Sequence, residues 1–206
     1  MSARADLRER LGKAVRLTVD TQKDGGWRYF ARRLDPDISV TICQVMGLRA
    51  ARNAGVHVPR ETIDRAIDYV KKSQNADGGF IYMSAQGGTS GFGRSAAAVC
   101  GLYTAGVYDG PEIAKGLNYL TQFLLQAGVV RQEPWYFYGH YYATMAAWQA
   151  GGDYWAKWYP AIRDDLVARQ RPEGLWSDPS VSNAFGTAMA CLILQMPNHC
   201  LPIFER

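Results

Sequence analysis

Apolar residues recur at intervals of three and four along most of this chain, which is the spacing of one face of an α-helix. Two kinds of segment follow this pattern. Charged segments lie over 7–15, 63–70 and 113–124, and segments with few charges and many small residues lie over 38–53, 95–105, 138–150 and 183–195. No stretch alternates apolar and polar residues as a half-buried strand does. The pattern therefore predicts an all-α chain in which charged and weakly charged helices alternate.

A short motif separates the two kinds of helix. Residues 22–27 (QKDGGW) recur as 74–80 (QNADGGF) and again as 170–176 (QRPEGLW). The spacing predicts a degenerate copy over 126–138, where Gln126 and several aromatic residues remain but the glycine pair is lost. Self-similarity at a regular period is typical of repeat architectures. The repeating unit is a helical hairpin with a glycine-rich turn.

The two helices of each hairpin differ in the environment that suits them. A helix that carries charges along its length belongs at the surface, whereas one with small residues on most sides is buried on most sides. Both conditions are met when hairpins lie side by side, with the charged helices outside and the weakly charged helices inside around a shared cavity. The sequence has room for four such hairpins.

Residues 65–80 (RAIDYVKKSQNADGGF) resemble the QW motif of squalene and oxidosqualene cyclases. Residues 13–27 fit the same register, and protein prenyltransferase β subunits use a related repeat. The resemblance extends over residues 10–196 and implies an α/α toroid, here a partial barrel of about four helical hairpins. In that motif the glutamine, the glycines and the aromatic residue tie neighbouring hairpins together, so we expect them to be structural.

The resemblance implies a squalene- or terpene-cyclase-like protein that binds or cyclises an isoprenoid in an aromatic-lined cavity, with no cofactor. Two alternatives stay open: a non-catalytic toroid scaffold that binds a lipid, a glycan or a protein, and a prenyltransferase-like protein. Prenyltransferases hold zinc with an Asp-x-Cys pair and a distant histidine, and no Asp-x-Cys occurs here. Cys43 and His140 would supply only two ligands, so we expect no metal site.

Two acidic residues stand at the start of the first weakly charged helix. Bacterial squalene-hopene cyclases carry an Asp-x-Asp-Asp-Thr element whose central aspartate protonates an alkene. Asp35 and Asp37 match part of that element, but Ile38 stands where the third acid would be. The resemblance implies that Asp35 or Asp37 is the catalytic acid. The residues themselves also allow a simpler interpretation, in which Asp37 or Ser39 caps the helix.

Aromatic residues crowd the start of the third weakly charged helix, where residues 135–142 include six aromatic rings and His140. Aromatic faces stabilise carbocations, so the resemblance implies that some of these rings bind substrate. The expected substrate-binding set is Phe92, Arg94, Trp135, Tyr136, Tyr138, Tyr141 and Phe185. Dense packing between hairpins is the alternative. His140 is expected either to serve as a catalytic group that adjusts the acid or to be a core histidine.

The composition limits which binding partners and which cellular compartment we expect for this protein. The net charge is +4 and no run of Lys or Arg exceeds two residues, which argues against a nucleic-acid partner. No apolar run is long enough to span a membrane, and the N-terminal residues do not form a secretory signal. We therefore expect a cytoplasmic protein, with peripheral contact to a membrane as a further option.

The number of hairpins bears on the domain organisation. We interpret residues 1–206 as a single toroid domain. Complete toroids of this superfamily use more than four hairpins, so an arc of four would leave its inner helices partly exposed to water. The sequence therefore predicts either that this chain is the C-terminal part of a larger toroid, whose N-terminal half is missing here, or that two arcs pair into a homodimer.

Overall fold

The computed structural model describes residues 5–124 and 135–198. Within those residues the chain forms eight α-helices, and β-pairing is limited to isolated bridges in the turns. The helices are α1 Ala5–Thr21, α2 Ile38–Asn53, α3 Arg60–Lys72, α4 Phe92–Ala105, α5 Pro111–Thr121, α6 Tyr136–Ala150, α7 Gly152–Arg169 and α8 Asn183–Leu194, followed by a 3₁₀ turn over Met196–Asn198. The prediction of an all-α chain is confirmed. Gln126 and most of the expected degenerate turn lie outside the described residues.

The helices form two layers. The inner helices α2, α4, α6 and α8 lie side by side, so that α4 packs between α2 and α6, and α6 packs between α4 and α8. The outer helices α3, α5 and α7 each pack against two neighbouring inner helices, whereas α1 packs against α2. This is an arc of four hairpins with the architecture of an α/α toroid, as the sequence predicted.

Helix α4 forms the centre of the core. Every residue over 95–103 is buried, because neighbouring helices surround α4 on all sides. Small residues let these helices approach closely. A Cβ atom on Gly139 of α6 would lie 2.7 Å from Cε1 of Phe92 and 3.3 Å from Cα of Gly93, both on α4. The small side chains of the inner helices therefore set the distance between them.

The glutamine of each complete turn joins its own hairpin to the next outer helix. Gln22 donates from Nε2 to the carbonyl oxygen of Gly25 at 3.0 Å and to that of Thr62, in the first turn of α3, at 2.9 Å. Gln74 repeats this geometry with Gly78 at 3.0 Å and with Glu112, in the first turn of α5, at 2.9 Å. One amide thus satisfies backbone carbonyls in two hairpins.

The glycines of these turns allow the next outer helix to approach. Gly25 and Gly78 have φ near +88° and +87°, a region that favours glycine. A Cβ atom on Gly25 would lie 2.3 Å from the carbonyl oxygen of Arg65, and one on Gly78 would lie 2.5 Å from that of Lys115. No side chain fits in either space, so glycine is required for both turn conformation and packing.

The aromatic residue of the turn is fixed to the inner helix through its backbone. The N–H groups of Trp27 and Phe80 donate to the hydroxyls of Thr41 and Ser95, at 3.1 and 2.8 Å. The N–H of Trp176 donates in the same way to a hydroxyl of α8, that of Thr187, at 3.1 Å. A hydroxyl on each of these inner helices therefore anchors the turn that precedes it.

The close packing of α4 and α6 predicts a difference between two helical glycines. Gly139→Ala should lower the free energy of unfolding by about 1–3 kcal/mol, since the new methyl group meets the ring of Phe92 and the backbone of Gly93. Gly47→Ala in α2 is the matched control. A Cβ there meets nothing within 4 Å, so its better helix propensity should stabilise the protein by about 0.5–1 kcal/mol. Urea denaturation of both variants measures the difference, and equal effects would contradict this account.

Candidate functional site

Asp37 lies at the N-terminus of α2 and is held there by its backbone and its side chain. Its N–H donates to the carbonyl oxygen of Trp27 at 3.0 Å, which joins it to the first turn. Its Oδ1 accepts a hydrogen bond from the N–H of Val40 at 2.9 Å, so the side chain caps the helix. The carboxyl group is fully buried.

The second carboxyl oxygen of Asp37 is less satisfied than the first. Among the described residues, Oδ2 is buried without a hydrogen-bond partner, and it forms an ion pair with Arg28, whose Nε lies 3.7 Å away. Burial raises the pKa of Asp37, and the Val40 N–H, the Arg28 charge, the Ser39 N–H and the Tyr82 hydroxyl oppose this effect only in part. Asp37 therefore keeps its proton to a higher pH than an ordinary aspartic acid.

Arg28 connects Asp37 to two aromatic residues. Its guanidinium carbon lies 5.9 Å from the ring centre of Tyr29 and 5.7 Å from that of Tyr82. Nη1 also donates to the sulfur of Met83 at 2.7 Å. The Tyr82 hydroxyl donates to that of Tyr29 at 3.2 Å, and burial, followed by this bond and the Asp37 charge, raises the pKa of Tyr82. These contacts hold the guanidinium beside the carboxyl group.

Three tyrosines of α6 lie on the inner face of the arc. The rings of Tyr138 and Tyr142 meet edge to face at 4.9 Å between centres, and those of Tyr141 and Tyr142 at 5.1 Å. The Tyr142 hydroxyl lies 3.7 Å from the sulfur of Cys43, which belongs to α2. Because α4 separates α2 from α6, these side chains must reach across it. We call Tyr138, Tyr141 and Tyr142 the inner-face tyrosines.

The inner-face tyrosines are neutral at physiological pH. Burial raises the pKa of Tyr138 and Tyr142, and it raises that of Tyr141 to about 12. The Tyr138 hydroxyl is buried with no hydrogen-bond partner among the described residues. The charges that contribute to the raised pKa of Tyr138 include those of Cys43 and Asp37. Tyr138 is therefore close enough to Asp37 for the Asp37 charge to affect its pKa.

Asp35 lies in a different environment from Asp37. Its carboxylate is exposed and forms an ion pair with Lys23 at 2.5 Å. The hydrogen bond and the positive charge of Lys23 lower the pKa of Asp35. Asp35 is therefore an ionised surface group, and of the two candidate acids only Asp37 has the environment of a proton donor.

His140 is buried on the side of α6 that faces the outer layer. Its ring centre lies 4.4 Å from that of Tyr136, 5.1 Å from that of Phe92 and 5.8 Å from that of Trp158. Neither ring nitrogen has a hydrogen-bond partner in the part of the chain that the structure describes. Burial lowers the pKa of His140 to about 3, while Asp165 raises it and Arg169 lowers it by smaller amounts. The structure thus places this neutral histidine in an aromatic cage apart from Asp37.

The remaining candidate residues lie away from the inner-face tyrosines, and two of them, Phe92 and Tyr136, contact His140. Phe92 is buried between Phe123, His140 and Trp158. The Tyr136 hydroxyl donates to Asp165 and its ring lies beneath the guanidinium of Arg169. Arg94 donates to the carbonyl oxygens of Phe80 and Thr89, Trp135 is exposed at the start of α6, and Phe185 is half-buried on α8. Of the expected binding set, the structure places Tyr138 and Tyr141 on the inner face.

Sequence reasoning missed Arg28 and Tyr82. Arg28 directly follows the aromatic residue of the first turn, and Tyr82 stands two positions after the aromatic residue of the second. Both turns therefore deliver a side chain to Asp37, a relation that appears only when two hairpins are placed side by side. The signal in the sequence that could have found Arg28 and Tyr82 is their position just after the aromatic residue of a turn.

Two hollows open on the described surface away from Asp37 and the inner-face tyrosines. One of about 770 Å³ lies between the C-terminal ends of α2 and α4, and another of about 650 Å³ lies beside the first turn and α3. Neither is lined by Asp37 or Tyr138. We take the buried carboxyl and the tyrosines, which supply reactive and cation-stabilising groups, as the candidate site in preference to these hollows.

Within residues 5–124 and 135–198, no group of three or more His, Cys, Asp or Glu side chains is placed to hold a metal ion. None of the helices in those residues is long and apolar enough to cross a membrane.

The family comparison agrees with the fold and with the repeat. The family model of the squalene-hopene cyclase C-terminal domain matches residues 3–150. The chain belongs to this family. A search of curated proteins found no match. The part that matches the cyclase family runs from α1 to the end of α6, so it includes Asp37 and the inner-face tyrosines.

The buried His140 predicts a dependence of stability on pH. The unfolded cyclase-family domain takes up a proton at this residue below about pH 6.5, whereas the folded domain does so only near pH 3. This residue's contribution to stability is therefore complete above pH 6.5 and is lost toward pH 3, by up to about 1.4 kcal/mol per pH unit. His140→Phe should remove that share of the slope in urea denaturation between pH 6 and pH 4. An unchanged slope in His140→Phe would refute the prediction.

Proposed function

We propose that this chain is a terpene-cyclase-like protein that binds an isoprenoid against its inner-face tyrosines and protonates it from Asp37. Membership of the squalene-hopene cyclase family supports the class of chemistry. The observation that carries the proposal is the fully buried Asp37 carboxyl, which has a raised pKa and one oxygen without a hydrogen-bond partner. A general acid must retain its proton until the reaction, and it must have a free atom from which to donate that proton.

The two carboxyl oxygens of Asp37 have different roles. Oδ1 is occupied by the N–H of Val40, so the proton belongs on Oδ2. Transfer of that proton to one carbon of an alkene forms a C–H bond from the π electrons and leaves a carbocation at the other carbon. The carboxylate that remains is stabilised by the N-terminus of α2 and by Arg28 at 3.7 Å. Loss of a proton from the carbocation, either back to Asp37 or to water with Asp37 then reprotonated from solvent, completes the cycle.

The inner-face tyrosines suit the second half of this reaction. The face of an aromatic ring attracts a cation, and three such rings lie together on α6. Their raised pKa values keep them protonated, so they offer π faces without offering a phenolate that would capture the carbocation. Their apolar surface also suits a hydrocarbon chain.

A non-catalytic scaffold is the second candidate, and one observation favours it. The same carboxyl group caps α2, and it is fully buried, as a purely structural aspartate would be. In that case the inner face binds a lipid, a glycan or a protein without chemistry. A prenyltransferase-like activity has no comparable support, since the chain lacks an Asp-x-Cys pair. For either candidate we propose a cytoplasmic protein that meets membranes at most peripherally and has no nucleic-acid partner.

Asp37→Asn separates these two functions. An asparagine side chain still accepts the hydrogen bond from Val40, so the cap and the fold should survive. It has no acidic proton, so turnover of squalene or of a prenyl diphosphate should fall by about 10²–10⁴-fold. Asp35→Asn is the matched control, because its carboxylate is exposed and paired with Lys23, and its turnover should equal that of the parent. Product formation is measured by mass spectrometry and binding by tryptophan fluorescence.

The outcomes distinguish the candidates. Parent protein that binds squalene but forms no product supports the scaffold. Turnover that survives in Asp37→Asn while the circular dichroism spectrum is unchanged would refute Asp37 as the acid. Loss of turnover in both variants would point to the charge of the loop before α2 and not to the buried proton.

A further inference from the structure

The larger of the two hollows described above lies at the end of the inner layer opposite to Asp37. It has a volume of about 770 Å³ and is bordered by the last turns of α2 and α4, by the segment that joins α2 to α3 and by the first two turns of α3. Since an α-helix rises about 1.5 Å per residue, about 22 Å of α2 separates Asp37 from Arg52 at this end. The hollow is therefore separate from the candidate site.

The buried part of the lining is apolar and lies where two apolar clusters meet. Val45 and Leu48 belong to the smaller cluster, which α1, α2 and α3 share, and Ile63 packs against it. Ile67 and Val107 pack instead against the larger cluster around α4. Ile63, Ile67 and Val107 are only half-buried, so the seam between the clusters leaves apolar surface exposed. An apolar chain laid along this seam would remove that surface from water.

The exposed part of the lining is basic. Arg49, Arg52 and Arg60 line the hollow, and Asp64 is the single carboxylate among the lining residues. Asp64 pairs with Arg60 at 3.5 Å. Within the described part of the chain, neither Arg49 nor Arg52 forms an ion pair with an acidic side chain. The hollow therefore has two guanidinium groups whose charge no carboxylate of the protein balances.

These two guanidinium groups can act on one ligand. Arg49 and Arg52 lie three residues apart on α2, so they share one face of that helix. Nη1 of Arg49 donates to the carbonyl oxygen of Thr104, in the last turn of α4, at 2.9 Å, which holds this guanidinium between the ends of α2 and α4. A guanidinium has five N–H donors, so most of those on Arg49 remain available. Their planar arrangement suits the oxygens of a carboxylate or a phosphate.

A structural role for the two arginines explains only part of this arrangement. Positive charges near the C-terminal ends of α2 and α4 compensate the helix dipoles, and Arg49 does so directly at the carbonyl oxygen of Thr104. That role needs no cavity beside the arginines. It also leaves unexplained why the cavity combines an apolar seam with unbalanced positive charge.

We propose that this hollow binds an amphipathic anion, a single apolar chain that ends in a carboxylate or a phosphate group. The chain lies along the seam between the two apolar clusters, and the headgroup pairs with Arg49 and Arg52. A neutral hydrocarbon would leave the two guanidinium groups without a counter-charge, and a free anion would leave the apolar seam in water. The volume agrees, since sites for small organic ligands measure about 300–1,000 Å³. This site is independent of the proposed function, because it shares no residue with the candidate site.

Isothermal titration calorimetry with a series of fatty acids tests both halves of the ligand. Hexanoate, octanoate and decanoate are titrated into the full chain below the concentrations at which they form micelles. Decanoate should bind one molecule per chain, and the affinity should rise about two- to fourfold per methylene group, since each one buries more apolar surface. Acetate, which has no chain, should not bind. Decanol has the chain without the charge and should bind at least about tenfold more weakly than decanoate.

Two substitutions locate the headgroup. Arg52→Gln removes a charge and no hydrogen bond within the described residues, so the fold should be unchanged while the affinity for decanoate falls about five- to tenfold. Arg49→Gln should weaken decanoate binding to a similar extent. Arg10→Gln is the matched control, because it removes the same charge from an exposed arginine of α1 that does not line the hollow, and its affinity should equal that of the parent. Thermal unfolding of each variant serves as the folding control.

A second pair of ligands distinguishes the two headgroups. Decyl phosphate has the chain of decanoate with a phosphate in place of the carboxylate, and the tighter of the two ligands identifies the headgroup that the arginines prefer. Inorganic phosphate alone should not bind, since it lacks the chain.

Four results would overturn the proposal. They are a parent that does not bind decanoate or decyl phosphate, decanol that binds as tightly as decanoate, decanoate binding that neither Arg52→Gln nor Arg49→Gln weakens, and an equal loss in Arg10→Gln. The last result would show that decanoate responds to the overall charge of the chain and not to this hollow. None of these measurements depends on whether Asp37 is a catalytic acid.

Discussion

The structure depends on the close approach of each glycine-rich turn to the backbone of the next outer helix. A methyl group on Gly25 would lie 2.3 Å from the carbonyl oxygen of Arg65, so the two backbones touch directly. Gln22 then fixes the distance along the helix, because one amide nitrogen serves carbonyl oxygens on both sides of the contact. Backbone contacts of this kind leave little freedom, so repeating them places successive hairpins at a constant step.

That constant step brings the first two turns together at Asp37. Arg28 comes from the first turn and Tyr82 from the segment after the second, and the guanidinium lies near both the carboxyl group and the Tyr82 ring. The inner face follows from the same hairpin packing. The side chains of α4 are small, so Tyr142 of α6 can reach across α4 to Cys43 of α2. The site is thus a consequence of hairpin packing and not of one contiguous motif.

The sequence was sufficient for the architecture because the relevant signals are local. Helical periodicity, the repeated turn and the contrast in charge between the two helix types each lie within one hairpin. The candidate site was only partly predictable, because it depends on which way a helix is rotated. His140 and Tyr138 are two residues apart, yet one is caged by Trp158 and Phe92 and the other lies on the inner face. Likewise, Asp35 and Asp37 differ in burial only because the backbone between Trp27 and α2 turns one of them inward.

Capping and acid catalysis are compatible in Asp37, and the cap strengthens the case for the acid. The N–H of Val40 holds one oxygen in place, which fixes the direction of the other without satisfying it. Burial raises the pKa of the group, and in the proposed transfer the helix N-terminus and Arg28 stabilise the carboxylate that is left. A structural cap uses only one of the two oxygens, and among the described residues the second is buried, 3.7 Å from a guanidinium and without a hydrogen-bond partner. In the proposed reaction, the proton that leaves is the one on that oxygen.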